Sequence, residues 1–139
     1  MSEKFIPLPE KAIDQAISEM SFNKDGLVAA IAQQYDTGEV LMMAWMNADA
    51  VRETLSTGNV CYWSRSRGKL WRKGETSGQI QSLHSMAIDC DGDSVLLKLD
   101  QTGVACHTGR RSCFYKSVTS QGLKENQKIT TNPRDLYSK

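Results

Sequence analysis

The chain has 139 residues, 40% of them hydrophobic and 24% charged, with a formal charge of +1. That length suits one domain with a real core and is hardly enough for two. The small net charge argues against a general nucleic-acid binder, and the longest apolar run, Val40–Met46, is far too short to cross a bilayer. Met1–Glu10 has acids and two prolines where a secretory leader needs an apolar core, so a cytoplasmic protein with reduced thiols is expected.

Met1–Pro9 reads as a polar lead-in. Ala12, Ile13, Ala16, Ile17 and Met20 recur at helical spacing and predict a first helix that ends near Ser21–Asn23. Leu27–Tyr35 reads as a strand, Asp36-Thr37-Gly38 as a hairpin turn, and Val40–Met46 as the returning strand. The returning strand is apolar on both faces, which predicts burial. Asn47 suits the N-cap of a second helix over Ala48–Ser56, and Gly58 suits its stop. Trp45, just before that helix, reads first as a core residue.

Val60–Ser66 predicts a further strand. Cys61, between Val60 and Tyr62, has no ligand-like neighbour and reads as a buried, inert thiol. Charge then becomes uneven: Trp63–Gln79 holds five cations against the single carboxylate Glu75. The loop Gly74-Glu75-Thr76-Ser77-Gly78 can turn backbone N–H groups and hydroxyls toward phosphate oxygens. With the guanidinium forks of Arg65 and Arg67, Thr76 and Ser77 make an anion clamp. Gln79–Ile88 predicts another strand, on which His84 reads as a satisfied, partly buried histidine.

Asp89–Tyr115 concentrates the chemistry, with three of the four cysteines and one of the two histidines. Read as a strand that turns at Gly92, it sets Asp89, Asp91 and Asp93 on one face and Cys90 on the other. Carboxylates select hard cations such as Mg²⁺, and thiolates hold Zn²⁺. The expectation is two metal sites back to back: magnesium on the aspartates, zinc on Cys90, Cys106 and Cys113. Three thiolates leave a fourth position for water, the mark of a catalytic zinc. The H-x-E…P-C-x-x-C pattern of a zinc deaminase is absent. A non-catalytic zinc module would want four closed ligands and no aspartates. After Tyr115 the chain turns polar, and Val118–Lys139 reads as a loosely packed tail with at most one short strand or helix.

Five ordered segments then match one pattern. D-C-D-G-D at Asp89–Asp93, C-H-T-G at Cys106–Gly109, S-C-F at Ser112–Phe114, W-S-R-S-R at Trp63–Arg67 and L-W-R-K-G-E-T-S-G at Leu70–Gly78 together resemble the phosphoribosyl-AMP cyclohydrolase family of histidine biosynthesis. The resemblance spans roughly Gly26 to Tyr115. It implies hydrolytic opening of the adenine ring of a nucleotide substrate, N1-phosphoribosyl-AMP, at the N1–C6 bond. His107 would move the proton to N1, Arg65, Arg67, Thr76 and Ser77 would hold the phosphoribosyl arms, and Trp45 would lie close to the active site. It further implies a homodimer that shares each zinc, with Cys90 from one subunit and Cys106 and Cys113 from the other. The spacing alone leaves an intrachain cluster equally open. Some relatives continue into a pyrophosphohydrolase domain, for which the residues after Tyr115 are too few.

The expected fold is α+β, mostly β: one domain with a folded, barrel-like mixed sheet and about two helices near the N-terminus. Its parts are a lead-in and helix over residues 1–25, a catalytic core over 26–117 and a tail over 118–139.

Overall fold

The structure, a computed structural model, describes residues 5–136. Two helices come early: α1 (Glu10–Ser18) and α2 (Ala48–Thr57). The Asn47 side chain accepts the Ala50 N–H at 2.8 Å, and Gly58 closes α2 in the left-handed region at φ 81°. Arg52 of α2 reaches Asp14 of α1 at 2.8 Å, an exposed pair that aligns the helices and adds little stability.

The strands are β1 (Val28–Gln34), β2 (Val40–Met46), β3 (Cys61–Ser64), β4 (Lys69–Arg72), β5 (Gln81–Ile88) and β6 (Ser94–Gln101). They form one sheet in the order β4-β3-β2-β1-β6-β5. Every neighbour pair is antiparallel except β1 and β6, which run parallel. The sheet curls: Leu83 donates to the Gly58 carbonyl at 2.7 Å and Val60 to the Gln81 carbonyl at 3.1 Å. The segment before β3 thus bonds to edge strand β5, giving a mixed half-barrel. This is the mostly β, single-domain α+β fold expected from the sequence.

The core lies where α1 and α2 cover one face of the sheet. Val28, Ala30 and Ala32 of β1, Val95, Leu97 and Leu99 of β6, and Ala50, Val51 and Leu55 of α2 are buried there. Burying each large aliphatic side chain is worth roughly 1.5–3 kcal/mol. The other face is open, which corrects the expectation that β2 is buried throughout. Val40 and Met43 are 42% and 46% exposed, and Met43 lies opposite exposed Ile31 of β1.

Four elements were not legible. β4 hides in the cation-rich segment, because Lys69 and Arg72 mask the inner Leu70 and Trp71. After Tyr115, β7 (Lys116–Thr119) and β8 (Gly122–Glu125) form a separate hairpin, and α3 (Pro133–Leu136) buries Leu136. Thr130 and Thr131 donate backbone bonds to Gly109, and Gln127 accepts the Ser112 N–H at 2.9 Å. The expected loose tail is therefore bonded, as far as the described residues run, to the loop that carries Cys106 and Cys113.

Candidate active site

β5 ends at Ile88, so Asp89–Asp93 is a turn and not the continuing strand expected from the sequence. The Asp91 N–H donates to Asp89 Oδ1 at 2.9 Å, and Gly92 turns at φ 79°. A Cβ at Gly92 would meet the Glu19 carbonyl at 2.7 Å, and the Gly92 carbonyl accepts the Ser21 N–H at 2.7 Å. Glycine there seats the turn against the end of α1. The turn breaks the alternation that set Cys90 opposite the aspartates. One ligand atom from each of Asp89, Cys90 and Asp91 lies within 4.8 Å of the others. The back-to-back separation is corrected: the thiol and the carboxylates share one exposed cluster.

Hydrogen bonding to Asp89 and Asp93, and then their charges, push the Asp91 carboxyl up to about 6. Bonding to Asp91 holds the Asp89 carboxyl below its ordinary value. A divalent cation would relieve this crowding, and the carboxylate oxygens of the cluster are donors of the kind magnesium takes.

Cys106 and Cys113 come together on the loop after β6. The Cys113 N–H donates to Leu41 of β2 at 2.7 Å, and Ser112 Oγ donates to the Val40 carbonyl at 2.8 Å. The Ala105 N–H donates to Arg111 and the Cys106 N–H to Arg110, so the loop doubles back on itself. Cys106 is 4% exposed, with its Sγ 3.0 Å from Thr108 Oγ1. Cys113 opens to solvent on one side and is crowded on the other; burial, and then Cys106, push its thiol up to about 12. Two adjacent thiols of this kind fit a soft or borderline cation such as zinc. His107 is exposed at the tip of the tight turn that the Gly109 N–H closes on the Cys106 carbonyl.

Arg111 fastens this loop to the sheet. It donates to Gln34 Oε1 at 2.7 Å and to the Gln101 and Gly103 carbonyls at 2.8 and 2.7 Å. Behind it runs a buried chain: Tyr62 Oη donates to Gln81 Oε1 at 2.6 Å, and Gln81 Nε2 donates to Gln101 Oε1 at 2.8 Å. Such networks rigidify a core when every member is satisfied, as here.

The two clusters do not meet within one chain. Cys90 precedes the first residue of β6, and Cys106 and Cys113 follow its last. The eight residues of β6 lie between them in the chain, and Cys113 is anchored instead on Leu41 of β2. Among the described residues, Asp89, Cys90 and Asp91 are the one trio of metal-ligating side chains in mutual reach. The intrachain cluster of three cysteines that the spacing left open does not form.

The anion-binding candidates divide as well. Arg67, Thr76 and Ser77 line one cleft of about 480 Å³ with Lys69, Arg72 and Lys73. Arg65 lies elsewhere, its guanidinium 5.0 Å from the centre of the Trp45 ring. Trp45 also lines a small cleft with Asp93, Ser94, Ser21 and Asn23, which puts it beside the carboxylate turn. Cys61 is fully buried, burial pushes its thiol up to about 12, and it takes no part in either cluster. His84 stacks on Tyr35 with ring centres 3.8 Å apart, where β5 bulges, in keeping with a structural histidine.

Comparison with known proteins places the chain in a family. Residues 42–115 match the family model described as phosphoribosyl-AMP cyclohydrolase. The phosphoribosyl-AMP cyclohydrolase of Paramagnetospirillum magneticum is 65% identical over 130 residues, covering 92% of this chain and 98% of that protein. That of Granulibacter bethesdensis is 67% identical over 122 residues, covering 84% and 91%. The chain belongs to the phosphoribosyl-AMP cyclohydrolase family.

The span matched by the cyclohydrolase family model contains both clusters, His107, Arg65, Arg67, Thr76, Ser77 and Trp45. Before it lie α1 and β1; after it lies the β7–β8 hairpin. Two residues inside the cyclohydrolase span were missed as parts of the site. Arg111 had no signal, since an arginine between two cysteines reads as a surface charge. Lys73 was counted only among the cations, yet it is 9% exposed and donates to the Ala105 carbonyl at 2.9 Å. Its signal was the Gly74 that follows it. A Cβ there would meet the Ile80 backbone nitrogen at 2.5 Å, so the loop must fold tightly inward.

Proposed function

We propose that this chain hydrolyses N1-(5-phosphoribosyl)-AMP, breaking the N1–C6 bond of the adenine ring and leaving a carboxamide on the imidazole, the third step of histidine biosynthesis. One observation supports the reading: the family match encloses a complete set of candidate ligands, sorted into an aspartate turn and a cysteine pair. Cys106 and Cys113 of one subunit, with Cys90 of a second, would hold a zinc ion, which makes a water acidic enough to serve as nucleophile near neutral pH. The separation of the clusters along β6 supports a homodimer with two composite sites.

The chain's own residues then have distinct tasks. His107, exposed beside Cys106, delivers a proton to the departing N1. Arg67, Thr76 and Ser77 share a cleft and bind one phosphate through guanidinium and hydroxyl donors. Trp45, stiffened by Arg65 above it, presents an aromatic face beside the carboxylate turn. Asp89, Asp91 and Asp93 would hold Mg²⁺, which normally keeps positions open for substrate phosphates or water. No helix among the described residues is long and apolar enough to cross a membrane, and a cytoplasmic location is proposed with the activity.

The test is an ultraviolet assay of ring opening with N1-phosphoribosyl-AMP. Turnover that a strong chelator abolishes and added zinc restores is the expected result. Absence of ring opening by folded, zinc-replete protein would overturn the assignment.

A further inference from the structure

All three tryptophans of the chain line one cleft. It measures about 560 Å³, within the size range of small-molecule sites, and Met43 and Arg65 also line it. Neighbouring strands set the indoles. Trp45 of β2 pairs directly with Trp63 of β3, so the two rings share a face of the sheet with exposed Met43, two residues before Trp45. Trp71 of β4 pairs with fully buried Tyr62, and the two rings lie 5.5 Å apart between centres. All three indoles are half-buried. Indoles that keep part of their surface in a shared cleft give a flat aromatic ligand faces and edges to pack on.

The surroundings decide which flat ligand fits. Trp71 also lines the neighbouring cation-rich cleft with Arg67, Thr76 and Ser77, so one indole is the partition between the two. At the other side Trp45 also lines the small cleft that contains Asp93 of the carboxylate turn. The aromatic cleft therefore lies between a cationic cleft and the carboxylates. A purine with a phosphoribosyl arm on each side has the same order of parts: anionic arm, flat ring, anionic arm. The cations take one arm directly, and carboxylates take the other through a divalent cation. Arg65 adds a second kind of stacking surface. Its guanidinium lies 5.0 Å from the centre of the Trp45 ring, and among the described residues the ion pairs belong to Arg52, Arg72, Arg110 and Arg111. A guanidinium held on an indole and committed to no carboxylate is a plane on which a base stacks. An apolar patch of a partner would cover the indoles but would match neither the cations on one side nor the carboxylates on the other.

We infer that Trp63 and Trp71 form the platform for the purine ring of the substrate, with Trp45 and Arg65 closing the side toward the carboxylate turn, and that this pair is what separates a purine nucleotide from other phosphorylated ribosides. This rests on the ring-opening function proposed above. Stacking holds the ring by one face. The other face stays open for addition of water at C6, and the ring edge for proton delivery to N1. The hold is the same in the bound substrate and in the transition state, so it acts on KM and hardly on kcat.

The test uses the full-length protein and its intrinsic fluorescence, which reports on this cleft because every tryptophan lines it. The probes are AMP, and ribose 5-phosphate as the same arm without the base. AMP should quench the emission. Ribose 5-phosphate should bind, as read by calorimetry, with little change in emission. Loss of a stacked aromatic costs ~5–150-fold in affinity for a base. Trp63→Leu and Trp71→Leu should each weaken AMP on that scale, and ribose 5-phosphate by less than about twofold. Trp63→Phe keeps a ring and should stay within several-fold of the parent. With N1-phosphoribosyl-AMP, KM should rise as AMP affinity falls, while kcat holds within about threefold. Should Trp63→Leu fail to fold, Trp63→Val, suited to a strand, carries the same contrast with Trp63→Phe. AMP affinity within about twofold of the parent in the aliphatic variants would overturn the inference. Equal losses for AMP and ribose 5-phosphate would do the same, since they mark merely structural tryptophans. Emission that changes with protein concentration and not with AMP would show that a second copy of the chain covers the cleft instead. A parent chain that binds AMP in this way yet opens no ring would refute the proposed function and leave the platform standing as a purine site.

Discussion

Cys90 precedes β6 while Cys113 is anchored two strands away on Leu41 of β2, and the three cysteines do not gather into one cluster within a chain. A zinc site that uses both must be built from two chains. Cys90→Ser and Cys106→Ser chains should each be inactive alone. Co-folded in equal amounts, they should recover roughly one quarter of wild-type turnover, since about half the dimers are mixed and each mixed dimer keeps one intact site. Zero recovery, with mixed dimers verified by mass spectrometry, would refute the shared site.

The crowded carboxylates of the turn predict a pH dependence. Asp91 is raised to about 6, so it is ionised above that pH and protonated below it. Mg²⁺ binds the ionised form. Affinity should therefore climb as pH rises from 5 to about 6 and level off above it, with a proton released on binding only in the lower range. Calorimetry in buffers of different ionisation heat measures that proton. Asp91→Asn should weaken Mg²⁺ binding and flatten the pH profile. An affinity for Mg²⁺ that is constant from pH 5 to 7 in the wild type would contradict this account.

His107→Ala should lose turnover by ~10²–10⁴-fold, the usual worth of a positioned acid or base. Zinc content should be unchanged, because the side chain lies exposed beside Cys106 and the turn is held by backbone bonds. A loss under about threefold would reduce His107 to a turn residue and hand the proton to water.

Gln81 sits at the centre of the buried chain that runs toward the cysteine loop. Gln81→Leu leaves the Tyr62 hydroxyl and the Gln101 amide carbonyl without partners. An unsatisfied buried polar group costs about 1–3 kcal/mol, so the urea midpoint should fall clearly. Adding Tyr62→Phe should recover part of the loss, because it removes one of the stranded groups. A single variant as stable as the parent would show that the network has no energetic weight.

What the sequence by itself determined is local. The N-cap and stop of α2 are written in Asn47 and Gly58, because capping is decided within one helical turn. The β1–β2 hairpin is written in Asp36-Thr37-Gly38 between apolar runs, and the core position of Cys61 in its apolar neighbours. The donor residues themselves were legible as types, since metal chemistry restricts which side chains can serve. Tertiary structure decided everything that joins distant residues. The parallel pairing of β1 with β6 joins segments some sixty positions apart, and no local pattern encodes it. Cys90 precedes β6, and the Cys106–Cys113 pair lies on the loop that follows it, anchored on β2. A single left-handed turn at Gly92 moved Cys90 to the carboxylates' side, because a period-two reading fails wherever the strand stops. Lys73 became a neighbour of the cysteines only because β4 and the loop after β6 pack together. Burial belongs to the packed chain, and in a run of cations the one that turns inward has the same letter as those that stay in water.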